Sequence, residues 1–302
     1  MDDCPFLVRE EQDFLQELIW QVADFSGIQV VTHAIMANHF HILAEVPSST
    51  DRISDDELIR RFSVLYPSPT LAQPLTAEGL RVLLESNDSK GEELRKSLHA
   101  RMGDPSWFMK TVNQRFALWL NRTRERVGAV WHHRYKDVLV QNDPWALAVV
   151  SAYIDLNPVR ARIVKDPANY EFCGLGKAHE KDARASEGLK ILSDGRGDYD
   201  ELIEGARGSR GNGPVGSVDQ QEIVDNVSSD EDPVPLSVAL RCRVRYFTDG
   251  MIIGFPDFVE KHANAVAVCP KRPRIAHPML GTDWKGLAVA TGLRKNVFQR
   301  SR

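Results

Sequence analysis

Apolar and polar positions along the chain predict alternating helices and strands. Between Arg9 and Ser26 the apolar side chains recur at helical spacing, and Gly27 follows, which predicts an amphipathic helix ending at the glycine. Residues 28–36 are mainly apolar, and residues 39–46 alternate, so two antiparallel strands joined by a short turn are expected next. The helix presents Phe14, Leu18, Val22 and Phe25 on its apolar side.

A helical insertion is predicted for residues 51–103. Ser54 and Ser89 are each followed three residues later by a glutamate, the pattern of a capping box at a helix N-terminus. Prolines between residues 67 and 74 separate the two patterns. At least two helices are therefore expected in the insertion.

Two longer helices are predicted after the insertion, and each begins with an Asp-Pro dipeptide. Asp104–Pro105 and Asp143–Pro144 place a capping aspartate before a proline in the first helical position, where an N–H is not needed. A strand is predicted between them at 131–140, and Pro158 breaks the second helix. The first of these helices has the apolar stripe Phe108, Val112, Phe116 and Leu120.

The C-terminal part differs from the rest of the chain in composition and charge. Glycine, serine, asparagine and aspartate dominate residues 204–234, which predicts a flexible linker. Residues 235–302 carry 12 Lys/Arg against 4 Asp/Glu, leaving 26 against 38 in the remainder. This asymmetry indicates a polyanionic partner bound locally, although a basic tail without a partner fits the charge equally well. The predicted domains are 1–175, a helical extension 176–203, the linker 204–234 and a small basic helical module 235–302.

The overall composition is that of an ordinary soluble globular protein. The 302 residues are 42% hydrophobic and 26% charged, enough for one large or two modest domains. No apolar run is long enough for a membrane span, and the first residues do not resemble a signal peptide. The four cysteines are far apart without a C-x-x-C pair, which argues against a zinc ribbon or a disulfide scaffold. A cytoplasmic location is expected.

Two histidines in the second strand are candidate metal ligands. His39 and His41 are two residues apart, so a strand places both imidazoles on one side while Phe40 faces the other. Imidazole suits Mn, Zn, Fe or Ni, and a carboxylate or amide oxygen would complete a site for Mg or Mn. Spacing alone leaves the alternative of two partly exposed histidines without a metal.

Tyr153 and Asn157 are candidates on the helix that begins at Asp143. They are four residues apart and therefore neighbours on the helix surface. A tyrosine in the core, with its hydroxyl tipped toward water, is the alternative for Tyr153. Polar residues that could contact nucleic-acid phosphates, or simply form a solvated surface, are Lys110, Gln114, Arg115 and Arg134.

Three motifs together resemble the REP-associated tyrosine transposases, which belong to the single-tyrosine HUH transposases of bacteria. They are residues 36–43 (Met-Ala-Asn-His-Phe-His-Ile-Leu), Trp131 with Arg134–Tyr135, and residues 153–161 (Tyr-Ile-Asp-Leu-Asn-Pro-Val-Arg-Ala). The motifs occur in the order of that family, within roughly residues 6–175.

The resemblance implies an α+β fold in which a ferredoxin-like antiparallel sheet with packed helices binds hairpin-bearing single-stranded DNA as a homodimer. It also implies that His39, His41 and Asn157 hold a divalent ion, Mg²⁺ or Mn²⁺, and that Tyr153 is the nucleophile. The family has a further strand before the first helix, and residues 6–8 are too short to form it. An upstream start codon or a truncated gene is therefore expected.

The chemistry implied is DNA strand transfer through a covalent intermediate. Attack by Tyr153 on a phosphate would leave a 5′-phosphotyrosine and a free 3′-hydroxyl, and the retained phosphodiester energy allows rejoining without ATP. A tyrosine hydroxyl is protonated at neutral pH, so a base or a cation has to assist it. Tyr135 is the competing nucleophile, and His132 and His133 are the competing ligands, but these lack an amide or acid one helical turn away.

The expected function is therefore a DNA transposase that cuts and rejoins single-stranded hairpin DNA. Two alternatives remain open. One is a protein that binds structured single-stranded DNA without cutting it, through residues such as Lys110 and Arg115 and the basic C-terminal part. The other is a metal phosphoesterase that uses water as its nucleophile.

Overall fold

The chain has an α+β fold that divides into two compact units. The computed structural model describes residues 6–47, 53–71, 73–86, 88–131, 133–208, 235–241, 244, 246–266 and 275–291. The first unit comprises residues 1–31 and 35–134, and the second comprises residues 32–34 and 135–302. The predicted domain bounds differ from this division and stay predictions.

Among its described residues the first unit contains five helices and two strands, although residues 32–34 of the first strand are assigned to the second unit. The predicted first helix is confirmed, because it ends where Gly27 adopts a left-handed φ of 70° that favours glycine. The elements are α1 (Arg9–Ser26), β1 (Gln29–Ile35), β2 (Phe40–Glu45), α2 (Asp55–Leu65), α3 (Ala77–Glu85), α4 (Ser89–His99) and α5 (Pro105–Thr123).

Helices α1 and α5 pack together and form the core of this unit. The predicted apolar stripe of α5 is confirmed, since its four members are all buried. The Phe14 ring stacks on the Trp119 ring with centroids 3.9 Å apart. Near the N-terminus of α1, the almost fully buried Glu11 accepts two hydrogen bonds of 2.6 Å from the Arg124 guanidinium.

The helical insertion is confirmed as α2, α3 and α4. Ser54 caps α2 as predicted, because its hydroxyl accepts a hydrogen bond from the Glu57 N–H at 3.2 Å. The cap predicted at Ser89 was wrong by one residue. Asp88 is the N-cap of α4, since its carboxylate accepts from the Gly91 N–H at 2.8 Å.

Strands β1 and β2 form the predicted antiparallel hairpin, and the Met36 N–H closes its turn on the His39 carbonyl at 2.8 Å. The ferredoxin-like sheet is not confirmed, because in the described part of the chain β1 and β2 form a sheet of two strands only.

The second unit is built around a central apolar helix, α6, which Asp143 caps as predicted. Residues 204–208 of the predicted linker belong to helix α10 instead, and residues 209–234 lie outside the described residues. The elements are β3 (Leu139–Val140), α6 (Pro144–Asp155), α7 (Asn157–Arg160), α8 (Gly174–His179), α9 (Ala183–Lys190), α10 (Arg196–Gly208), α11 (Leu236–Ala239), α12 (Tyr246–Asp249), β4 (Gly250–Gly254), α13 (Pro256–Val266), β5 (His277–Pro278) and β6 (Ala288–Thr291).

The C-terminal part contains a sheet, so the expectation of a purely helical module was wrong. The strands lie in the order β3-β4-β6-β5, with β3 parallel to β4 and the other pairs antiparallel. Val259 and Ala263 of α13 pack on Ile252, Ala288 and Ala290 of the sheet. A short apolar run between two glycines fits a buried strand as well as a helix, and here the strand formed.

Of the described residues in the strand predicted at 131–140, the last two alone form a strand, β3. Residues 132–137 are charged or aromatic with no apolar alternation, whereas Leu139 and Val140 pair with Ile252 and Ile253. Of the basic residues counted in 235–302, Arg241, Lys261 and Lys285 lie among the described residues. No helix in the described part of the chain combines the length and the apolar character needed to cross a bilayer.

Candidate functional site

The two candidate histidines project from the β1–β2 hairpin of the first unit. The ring of Phe40, between them in sequence, packs against Trp131 with centroids 5.3 Å apart, and Trp131 in turn packs against Phe116 of α5 at 5.6 Å. This confirms that Phe40 anchors the strand from behind. His39 is exposed and His41 is half-buried, so both imidazoles are at least partly accessible.

The geometry of the histidine pair fits two ligands of one metal ion. The ring centroids of His39 and His41 are 5.2 Å apart and the rings are nearly perpendicular. Two imidazoles bound to one ion at about 2.1 Å would have ring centres on the order of 5 Å apart. The Nδ1 of His39 lies 2.7 Å from the Asn38 side-chain oxygen, which can only accept a hydrogen bond. His39 therefore carries its proton on Nδ1, and its Nε2 has the lone pair that a metal would bind.

A complete ligand set made only of histidine, cysteine and acidic residues is not found in the described part of the chain. Among the described residues, no group of three or more such side chains could hold a metal ion. The predicted set combines two histidines with an amide, which is a different composition, so the metal site stays a prediction.

Tyr153 and Asn157 lie together at the C-terminal end of α6 in the second unit. The helix ends at Asp155, and α7 begins at Asn157 with Pro158 in its first turn, as the predicted break required. The Asn157 amide donates hydrogen bonds to the carbonyls of Ile154 at 2.9 Å and Tyr153 at 3.4 Å. Because the nitrogen makes these bonds, the side-chain oxygen is the atom with which Asn157 would bind a hard cation.

The Tyr153 side chain is enclosed rather than accessible. It is only 3% exposed, and its ring stacks on Phe247 with centroids 4.1 Å apart. The Arg160 guanidinium lies over the same ring, 3.9 Å from its centroid. Two groups this close cannot share one face, so the tyrosine ring lies between them. Tyr153 therefore lies in the core, as the alternative interpretation expected.

Sequence reasoning missed Asp155, a fully buried carboxylate between the two candidates. It accepts hydrogen bonds from the Thr32 hydroxyl at 2.8 and 2.9 Å, from the Tyr199 hydroxyl at 2.8 Å and from the Leu175 N–H at 3.2 Å. Burial raises the pKa of Asp155 to about 6, although these donors oppose the rise. The available signal was a single charged residue in a mainly apolar helix.

His33 is a second buried titratable group in the same unit. It is fully buried, and this burial lowers its pKa to about 4, with the positive charges of Lys177 and Arg184 acting in the same direction and Asp182 opposing them. The imidazole is therefore neutral at physiological pH.

The candidate DNA contacts of α5 differ in their surroundings. Lys110 and Gln114 are exposed, as are Leu118 and Arg122 further along, and the four-residue spacing puts them on one side of the helix. Arg115 is partly buried instead, where it donates to the Leu65 carbonyl at 2.8 Å, and burial lowers its pKa. Lys110 and Gln114 are therefore better placed than Arg115 to meet a ligand in this structure.

Arg134 lies at the end of the first unit, next to the alternative nucleophile Tyr135 and the alternative ligand His133. Arg134 and His133 are exposed, and Tyr135 is half-buried. His132 lies outside the described residues. Of these positions, the described ones lie outside helices and strands, whereas Tyr153 belongs to α6 and His41 to β2, which His39 directly precedes.

Comparison of the chain with protein-family models, with curated proteins and with solved structures gives no significant match. The likeness to the tyrosine transposases therefore rests on the three motifs alone.

Proposed function

We propose that the protein is a DNA transposase that cuts and rejoins single-stranded, hairpin-bearing DNA through a 5′-phosphotyrosine intermediate. Tyr153 is the nucleophile, and His39, His41 and Asn157 are the metal ligands. The proposal includes a ferredoxin-like arrangement around the β1–β2 hairpin and action as a homodimer, both of which rest on the family resemblance.

The observation that carries the proposal is the geometry of the histidine pair. Two perpendicular imidazoles 5.2 Å apart, one of them oriented by an amide oxygen, form an arrangement suited to one divalent ion. When bound, Mg²⁺ or Mn²⁺ supplies polarisation of a phosphate oxygen and stabilises developing negative charge. The amide oxygen of Asn157, fixed by its bonds to α6, is the third group that would hold it.

In the chemical step, the Tyr153 oxygen forms a bond to phosphorus and loses its proton. The bond from phosphorus to the 3′ oxygen breaks, and that oxygen takes up a proton to become a free hydroxyl. Attack by a 3′-hydroxyl on the phosphotyrosine reverses these changes and rejoins the strand. Lys110, Gln114 and Arg134 are the candidates for holding the DNA backbone.

A second function, binding of structured single-stranded DNA without cleavage, is favoured by one observation. Tyr153 is 3% exposed between Phe247 and Arg160, and a nucleophile in that position cannot reach phosphorus. The two functions therefore differ in whether Tyr153 becomes accessible.

Covalent trapping tests the proposal. A labelled hairpin oligonucleotide with single-stranded flanks is incubated with the protein and Mn²⁺ or Mg²⁺, and adducts are detected by a gel shift that survives denaturant. Tyr153→Phe should abolish the adduct, because phenylalanine has no oxygen to attack phosphorus, while stability changes by no more than about 1 kcal/mol. Tyr135→Phe is the matched control and should retain the adduct.

The histidines are tested in the same assay. His39→Ala and His41→Ala should each lose metal-dependent adduct formation, whereas His133→Ala, at an exposed neighbouring histidine, should keep it. An adduct that persists in Tyr153→Phe overturns the nucleophile, and undiminished cleavage by both strand-histidine variants overturns the metal site. Tight hairpin binding without an adduct in any variant supports the non-cutting function.

A further inference from the structure

Leu240, which follows α11, and helix α12 form a cover at Tyr153 and its neighbour Arg160. Phe247 of α12 supplies the ring that stacks on Tyr153. Leu240 is fully buried, and its carbonyl accepts a hydrogen bond of 2.7 Å from the Arg160 guanidinium. The cover therefore makes an apolar contact with Tyr153 at the end of α6 and a polar contact with Arg160 of α7.

Arg160 joins the cover to the candidate nucleophile. Its guanidinium lies over the Tyr153 ring and also donates to the Tyr153 carbonyl at 2.6 Å. A third contact, the hydrogen bond to the Leu240 carbonyl, links Arg160 to the cover. One side chain thus touches the nucleophile's ring, the nucleophile's backbone and the cover.

The cover is also fastened to the C-terminal sheet region. The rings of Tyr246 and Phe247 pack edge-on against Trp284, with centroids 6.3 and 6.0 Å away. The Trp284 carbonyl accepts a hydrogen bond from the Trp145 indole, in the first turn of α6, at 3.0 Å. The same C-terminal region therefore contacts both ends of the helix that carries Tyr153.

We propose that the cover keeps Tyr153 closed and that DNA opens it through Arg160, which exchanges the Leu240 carbonyl for a phosphate oxygen of the DNA. This inference rests on the proposed function in that it takes Tyr153 as the nucleophile. A reacting oxygen has to come within about 3 to 3.5 Å of phosphorus, and a tyrosine that is only 3% exposed leaves no room for a phosphate.

The exchange is favoured by the chemistry of the two acceptors. A hydrogen bond from guanidinium to a phosphate oxygen is charge-assisted and stronger than one to a neutral carbonyl. Arg160 can keep its contacts with the Tyr153 ring and carbonyl while its other nitrogen changes partner. Binding of DNA at Arg160 would therefore release Leu240 and bring a phosphate beside Tyr153 in the same event.

Accessibility of Tyr153 is tested without DNA or catalysis. The full-length protein is treated with tetranitromethane, and nitration of Tyr153 is followed by peptide mass spectrometry. Phe247→Ala removes the stacking partner and should raise the nitration rate about tenfold, the factor that corresponds to about 1.4 kcal/mol and to the upper range for an aromatic pair. Phe258→Ala, which truncates a half-buried phenylalanine packed on the C-terminal sheet, is the matched control and should leave the rate unchanged.

The role of Arg160 is tested by the salt dependence of hairpin binding. Arg160→Gln should lower the slope of log affinity against log salt by roughly 0.7 to 0.9, the value for one lost phosphate contact. Arg162→Gln removes the same charge from an exposed position two residues away and serves as the control. Phe247→Ala should leave the slope as in wild type, because it removes no charge.

The outcomes separate the cover from the proposed function. Equal nitration rates for wild type and Phe247→Ala, both shown to be folded by circular dichroism, would overturn the cover. If Phe247→Ala does not fold, Phe247→Leu takes its place, because leucine keeps the apolar volume but cannot stack. A slope change in Arg160→Gln no larger than in Arg162→Gln overturns the phosphate exchange. Faster nitration of Phe247→Ala without a DNA adduct in any variant supports the cover and refutes the transposase. Faster nitration together with a roughly tenfold faster adduct supports both.

Discussion

Replacement of Asp155 by asparagine should change how the stability of the protein depends on pH. The carboxyl has a pKa of about 6 in the folded protein, against an ordinary value of 3.8. Between pH 4 and 6 the unfolded chain has released this proton and the folded protein retains it. Raising the pH through this window therefore lowers the free energy of unfolding, by about 3 kcal/mol at 1.36 kcal/mol per pKa unit.

His33 acts in the opposite direction over nearly the same window. Its pKa is about 4 in the folded protein, against 6.5 ordinarily, so the unfolded chain binds a proton that the folded protein excludes. Raising the pH from 4 to 6.5 removes this preference and raises the free energy of unfolding by about 3 kcal/mol. In the wild-type protein, the contributions of Asp155 and His33 should nearly cancel.

Single substitutions should reveal the two contributions. Asp155→Asn keeps the size and can satisfy its neighbours, because the Thr32 and Tyr199 hydroxyls can accept from the new amide while its oxygen accepts from the Leu175 N–H. Relative to wild type, its free energy of unfolding should rise by about 3 kcal/mol between pH 4 and 6. The free energy of unfolding of His33→Gln, relative to wild type, should fall by about the same amount between pH 4 and 6.5.

Urea unfolding at half-unit steps from pH 4 to pH 7 measures these profiles. The double variant Asp155→Asn/His33→Gln is the internal control, because loss of two opposing contributions should restore a profile parallel to wild type. The assignment of both buried groups would be refuted if the stability–pH profiles of the two single variants stayed parallel to wild type. It would also be refuted if both profiles shifted in the same direction.

Two further substitutions test the packing of each unit. Arg124→Ala should cost about 3 kcal/mol of stability by chemical denaturation, because it leaves the Glu11 carboxylate buried without its ion-pair partner, whereas Arg60→Ala, at an exposed pair, should cost less than about 1 kcal/mol. Equal losses would contradict this. Gly176→Ala should destabilise strongly, because the added Cβ would lie 1.9 Å from a backbone carbonyl oxygen. Gly197→Ala lies in a helix with nothing within 4 Å of the new atom and should instead stabilise the protein by about 0.5 to 1 kcal/mol. A rise in melting temperature for Gly176→Ala would refute the close approach of its Cβ to the carbonyl oxygen.

Elements defined by neighbouring residues could be predicted from the sequence. The caps at Asp104 and Asp143 and the glycine after α1 involve hydrogen bonds or backbone angles within a few positions, so their residue types are sufficient signals. The apolar stripe of α5 is a periodicity of the same kind. The pairing of His39 and His41 also belongs here, because alternate residues of extended backbone share one side; His41 lies in β2 and His39 directly precedes it.

Contacts between distant parts of the chain could not be predicted in this way. Strand β3 pairs with β4, more than a hundred residues later, and two residues of apolar sequence carry no information about that partner. The enclosure of Tyr153 has the same origin, since Phe247 follows it by more than ninety positions. The motif predicted which tyrosine to consider, but only the packed structure reveals that it is covered.

Asp155 is the one charged residue of the mainly apolar helix α6, and its buried carboxylate can orient that helix. Successive helical residues are about 100° apart, so positions 153 and 157 share one side and position 155 points the opposite way. Three donors from Thr32, Tyr199 and Leu175 hold the Asp155 carboxylate on that opposite side. Rotation of α6 would break these bonds and leave the group unpaired in the core, so they fix the direction in which Tyr153 and Asn157 face. An ionised Asp155 costs the protein stability at neutral pH, and such a local conflict is expected where a sequence maintains a required side-chain direction.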